Sequence, residues 1–179
     1  TVSVRLGEDD FLITPTGCDR WRLEPGDLVR IRAGSAEAGS SPSRSTRIHR
    51  AIYSRHPDIG SVILTQSPNA MAFAITGTAM DTRTIPESYL LLRDVPMLPF
   101  RSHYGEGREV AEAVSESRPV VLIANDCILV TGESLLQAYD RLEVAEFSAR
   151  SIVDSTALGA VRPIGDREVA DLRKAFGID

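Results

Sequence analysis

The stretch that most constrains this chain is residues 42–74, PSRSTRIHRAIYSRHPDIGSVILTQSPNAMAFA. Ile48, Ala51 and Ile52 recur at helical spacing, residues 61–64 form a short β-rich run between Gly60 and Pro68, and a second helical pattern covers 69–75. A strand with helices on both sides must be covered, which points to an α/β architecture. Small hydroxyl residues precede each helix: Ser43 and Ser45 before the first, Thr65 and Ser67 before the second. Ser43 is the predicted cap of the first helix. Helix starts carry unpaired N–H groups, so a fold of this kind places its chemistry there.

The flanking sequence extends the pattern. Residues 1–6 alternate as a strand, 8–10 form an acidic turn and 11–13 return as its partner, a hairpin. Trp21 and Leu23 are expected to anchor the next segment, and 28–31 to form a further strand. Residues 95–100, interrupted by two prolines, read as an edge strand. An amphipathic helix is predicted over 107–117, strands over 120–124 and 128–131 with a turn at Asn125, Asp126 and Cys127 between them. Ser134 and Gln137 read as a capping box opening a long helix whose stripe is Leu135, Ala138, Leu142, Ala145, Ala149 and Ile152. Asp166 is expected to cap a final short helix.

With 179 residues and 42% hydrophobic content, the chain suits one domain over 1–179. It opens inside a strand pattern at Thr1, which leads us to expect further sequence upstream. A net charge of -5 with mixed signs gives no basic stripe, so neither a nucleic-acid nor a membrane partner is expected. The longest apolar runs have strand length. Cys18 and Cys127 match neither a zinc knuckle nor a redox pair, and free thiols in the cytoplasm are the expectation. Lys174, the sole lysine, falls in a polar helix, which argues against Schiff-base chemistry.

Taken together, SVRLGEDDFLITPTG, PSRSTRIH, LTQSPNAMAFA and VVLIANDCILVTGESLLQAYDRLEVAEFSA resemble the class II aldolase/adducin family, of which fuculose-phosphate aldolase is a familiar member. The resemblance runs through nearly the whole chain in order. It implies a three-layer α/β/α sandwich around a mostly antiparallel sheet and a cyclic homotetramer with sites between subunits. It also implies cleavage of a sugar phosphate by a zinc ion on three histidines, which stabilises the enediolate.

The matching positions depart from that pattern. The His-x-His pair falls on Leu64 and Gln66, the third histidine on Asp126, the general acid/base glutamate on Ser45 and an asparagine on Thr1. Leucine offers no donor and glutamine a poor one, so no zinc or other cofactor is expected. His49 is expected to be a half-buried residue bonded to backbone, His56 and His103 to be surface or turn residues, and Cys127 to be a buried, inert thiol. Glu87 and Asp126 remain as acid/base candidates if the fold brings them together.

The phosphate-holding positions of the family fall on Thr16, Gly17 and Ser43, with Arg44 where a second serine is usual. They form an anion site for a phosphorylated or acidic sugar, or Ser43 merely caps while Arg44 points to solvent. The resulting expectation is a non-catalytic pseudo-aldolase, a partner subunit or ligand sensor. The alternative is an aldehyde-lyase acting on a sugar phosphate or sugar acid through an altered or subunit-shared site.

Overall fold

A computed structural model describes residues 1–178. The strands are β1 (Val2–Gly7), β2 (Asp10–Ile13), β3 (Val29–Arg32), β4 (Ser35–Ala36), β5 (Ser61–Thr65), β6 (Met97–Leu98), β7 (Val120–Ile123) and β8 (Cys127–Gly132). The helices are α1 (Thr46–Arg55), α2 (Pro68–Thr76), α3 (Pro86–Leu92), α4 (Arg108–Ala113), α5 (Leu135–Ser155) and α6 (Asp166–Phe176). All eight strands join one sheet in the order β4-β3-β2-β1-β5-β8-β7-β6. Every neighbouring pair is antiparallel except β6 with β7.

Each face of this sheet has its own apolar layer, because alternate residues along a strand point to opposite sides. Val121, Ile123, Cys127 and Leu129 pack with Ile48 and Ile52 of α1 and Val110 of α4. Val120, Leu122, Ile128 and Val130 pack instead with Phe73 of α2, Leu92 of α3, and Ala145 and Ala149 of α5. The α/β/α sandwich around a mostly antiparallel sheet is therefore the observed architecture. Among the described residues no helix is long and apolar enough to cross a membrane.

Several local expectations are corrected. The helix expected over 107–117 stops at Ala113, where Val114 turns extended (ψ 146°) to bury its side chain and Ser115 bridges back to Arg118. Trp21 is no anchor, being 97% exposed. The edge strand shrinks to Met97–Leu98, because Pro96 and Pro99 on either side cannot donate to a ladder. Asp166 is the first residue of α6, with Gly165 at the cap. Ser134 Oγ does accept from the Gln137 amide at 3.2 Å, but Gln137 Oε1 reaches back to the Glu133 amide and not to Ser134's own. Leu135 is exposed and drops out of the buried stripe of α5.

The start of α1 is also shifted. Ser45, not Ser43, holds the cap position, and it makes no side-chain cap bond. Ser43 lies two residues earlier, its carbonyl accepting from the Thr46 amide at 3.1 Å and its hydroxyl from the Ser45 amide at 3.3 Å.

Gly107 fixes how the loop before α4 meets α1. Its φ of +80° lies in the left-handed region, and an added Cβ would come 2.7 Å from Ile48 Cα. The segment that carries His103 is thereby drawn against the first turns of α1. An ion pair between Arg47 and Glu106 at 3.2 Å ties the same two pieces at the surface.

Candidate active site

One cleft of about 490 Å³ opens where three features meet: the Pro15–Cys18 turn, the start of α1, and the ends of β5 and β7. Antiparallel pairing of β5 with β8 puts Thr65 opposite Ile128, so the turn at Asp126 stands beside Gln66. Gln66 Nε2 donates to the Asp126 carbonyl at 3.1 Å and holds those two strand ends together. Thr1 completes the floor, with its Oγ1 2.9 Å from Ser43 Oγ.

Thr16, Gly17, Ser43 and Arg44 all line this cleft, so the fold assembles the four anion-site residues read from sequence. Arg20 and Arg47 join them, giving three guanidinium groups against Asp126 as the one lining carboxylate. Gly17 adopts φ +72° in its turn, a conformation that suits glycine. Leu64, Gln66 and Asp126 line the cleft too. Glu87 does not: it is exposed in the first turn of α3, in the layer across the sheet, and the Glu87–Asp126 pair is not formed.

The histidines differ most from expectation. His49 is fully buried, and its Nδ1 meets the side chain of Ser3 at 2.7 Å, with Tyr53 OH 2.7 Å from the same Ser3 hydroxyl. Burial holds the His49 imidazole down to about 3 and pushes the Tyr53 phenol up to about 12. His56 ends α1 and donates from Nε2 to the Ala111 carbonyl at 2.7 Å, a tie between α1 and α4. His103 is no simple surface residue. It lies in the cleft, its Nδ1 in contact with Asp126 Oδ2 and its Nε2 3.5 Å from Ser45 Oγ.

Sequence reading missed His103, Arg20 and Arg47. His103 stands 58 positions from Ser45 and 23 from Asp126, so no local spacing connects them. One signal was present: of three histidines, His103 alone lies neither in a helical pattern nor beside a proline.

The family's zinc does not fit the positions where its ligands would fall. Leu64 offers only carbon and belongs to the apolar layer under α1, and Gln66, whose Nε2 donates to the Asp126 carbonyl, has only a neutral amide oxygen to offer in place of an imidazole. Among the described residues one group of three metal-capable side chains occurs, His103, Asp126 and Cys127, with donor atoms within 4.8 Å of one another. Its thiol is fully buried, and burial, with the Asp126 carboxylate beside it, pushes the thiol well above its usual range. Cys127 Sγ donates to Asp126 Oδ2 at 3.4 Å. Both cysteines are free, Cys18 at the surface and Cys127 in the core.

The sequence profile described as Class II Aldolase and Adducin N-terminal domain matches residues 1–153. The chain belongs to this family. Relatives include the 3-oxo-tetronate 4-phosphate decarboxylase of Haemophilus influenzae, 30% identical over 179 residues, spanning 96% of this chain and 84% of that protein. The 5-methylthioribulose-1-phosphate/5-deoxyribulose-1-phosphate aldolase of Rhodospirillum rubrum is 31% identical over 144 residues, 76% of this chain and 62% of its own. Among solved structures, YgbL of Escherichia coli superposes with a TM-score of 0.82 at 27% identity, covering 96% of this chain and 86% of YgbL. An L-fuculose 1-phosphate aldolase superposes at 0.80 and 22% identity over 99% of this chain and 85% of its own, a likeness of fold.

Proposed function

We propose that this class II aldolase-family chain binds a small phosphorylated or acidic sugar and has lost the family's zinc-dependent carbon–carbon cleavage. In that sense it is a pseudo-aldolase. The observation that carries the reading is the convergence of Thr16, Gly17, Ser43 and Arg44, with Arg20 and Arg47, on one cleft. A tight turn and the start of a helix offer backbone N–H groups, and guanidinium groups suit phosphate or carboxylate oxygens. The relatives named for sugar-phosphate substrates support the ligand class.

No zinc is proposed at Leu64, Gln66 and Asp126, because that set supplies one good donor where a catalytic site needs three protein ligands. A homotetramer in the cytoplasm, built from a single domain over 1–179, accompanies this reading. It is supported by Leu136, Tyr139 and Phe147, which stand exposed along α5.

Thermal unfolding with inorganic phosphate tests the proposal. Millimolar phosphate should raise Tm, as any ligand that binds only the native state does, and Arg44→Ala should remove most of the rise. An unchanged Tm, or a rise that survives in Arg44→Ala, overturns the anion site. Near-stoichiometric zinc in purified protein, lost in Asp126→Ala, overturns the loss of the metal. A second reading, chemistry at an altered site, is favoured by the contacts that His103 makes with Asp126 and Ser45.

A further inference from the structure

A serine at the start of a helix ordinarily turns its hydroxyl onto the first-turn amides. Ser45 does not. It makes no cap bond, and the hydroxyl of Ser43 serves as the local acceptor instead. The hydrogen-bond partner of Ser45 Oγ is His103 Nε2 at 3.5 Å, although Ser45 is only 6% exposed.

The contact with Asp126 orders the imidazole of His103. An ionised carboxylate can only accept, so where His103 Nδ1 meets Asp126 Oδ2 the proton sits on Nδ1. In the neutral ring that leaves the Nε2 lone pair facing the Ser45 hydroxyl. The Cys127 thiol donates to the same Asp126 oxygen from behind, which fixes the carboxylate further. Ser45, His103 and Asp126 all line the cleft. Nucleophile, base and orienting acid therefore follow one another in space, a constellation recognised by geometry and not by order in the chain. A separation of 3.5 Å suits an unliganded pair of this kind, which tightens when substrate is bound.

We infer that Ser45 is a nucleophile for acyl transfer, with His103 as its general base and Asp126 as the residue that positions His103, acting on a small anionic ester or lactone. The anionic class rests on the proposed anion cleft; the relay does not. Ser45 Oγ adds to the carbonyl carbon as its proton passes to His103 Nε2. The tetrahedral adduct then expels the alcohol, which takes that proton, and the acyl group stays on Ser45. Water, deprotonated by His103, repeats the sequence and frees the acid and Ser45. Ester and water go in, acid and alcohol come out, with no change of oxidation state. Cys127 is unsuited to the nucleophile's part, since its thiol donates to the Asp126 carboxylate and it is Ser45 that meets His103 Nε2.

A neutral alkyl fluorophosphonate tests the relay without calling on the anion cleft. The full chain should gain one adduct by intact mass, mapped to Ser45, and none in Ser45→Ala. His103→Gln and Asp126→Asn should slow labelling by about 10²–10⁴-fold, the usual worth of a positioned base. Asp126→Glu should restore part of the rate, which a purely structural carboxylate would not do. The wild-type result needs no variant, so a variant that fails to fold cannot mask it. An unmodified Ser45 overturns the inference, as does labelling at an undiminished rate in folded His103→Gln. Zinc bound stoichiometrically through His103, Asp126 and Cys127, and released by Cys127→Ser, overturns it too by making the cluster a metal centre. Phosphate stabilisation with no label sinks the relay and leaves the anion cleft standing; label without stabilisation does the reverse.

Discussion

The two walls of the cleft have fared differently. On one side stand Thr16, Gly17, Ser43 and Arg44, the wall we propose to hold an anion; on the other stand Leu64, Gln66 and Asp126, a set with one good zinc donor. The first wall combines backbone N–H groups in a turn and at a helix start, which any sequence that keeps the fold supplies, with the Arg44 guanidinium. A metal site on the second depends wholly on side-chain identity, which can change while the sheet beneath stays intact.

Rebuilding the second wall should have the largest effect. Leu64→His, Gln66→His and Asp126→His with Ser45→Glu should create stoichiometric zinc binding at these positions, read by metal analysis. If the rebuilt protein folds yet takes up no zinc, the backbone has diverged as well as the side chains. Cleavage of fuculose-, rhamnulose- or ribulose-phosphate by the unaltered chain, sensitive to a chelator, would erase the contrast.

Next in size is the acid response of His49, packed behind both walls. Its native imidazole is held to about 3 by burial, against about 6.5 when unfolded. Between those values the unfolded state binds more protons, so this contribution is complete above pH 6.5 and lost as pH falls toward 3. The loss is on the order of a few kcal/mol, visible in urea midpoints taken from pH 7 to pH 4. His49→Phe should flatten that slope. A slope of wild-type steepness in His49→Phe would assign it to other groups.

On the first wall, Arg44→Ala should weaken phosphate binding by about 1.5–3 kcal/mol, the range for a charge-assisted hydrogen bond. Titration calorimetry would measure it. Smallest is the tie between Arg47 and Glu106, whose side chains are 51% and 74% exposed. Glu106→Gln should change stability by less than about 1 kcal/mol, and a larger drop in Tm would show that the loop carrying His103 depends on this pair.

Much of the architecture could be read in the chain. The period-two run at β1, the four buried residues of β7 and the spacing of Ile48 and Ile52 in α1 are local signals, and each element appears where its pattern lies. Element ends were less legible. Val114 leaves α4 because burying its side chain outweighs another turn of helix, a choice made by the neighbours of α4 and not by its own sequence.

The convergence of Thr16, Gly17, Ser43 and Arg44 on one cleft was legible because they lie within two short stretches, at a turn and before a helix. The Ser45, His103 and Asp126 line was not: it joins α1, the loop before α4 and the turn before β8. Sequence alone determined the α/β class, through periodicity that acts within a few residues of chain, and the family's scaffold and the absence of its histidines, through the motifs that resemble the family's. Only tertiary structure decided that His103 faces Asp126 and Ser45. That meeting depends on Gly107 letting its loop approach Ile48, and on β5 and β8 pairing in register, contacts between segments far apart in the chain.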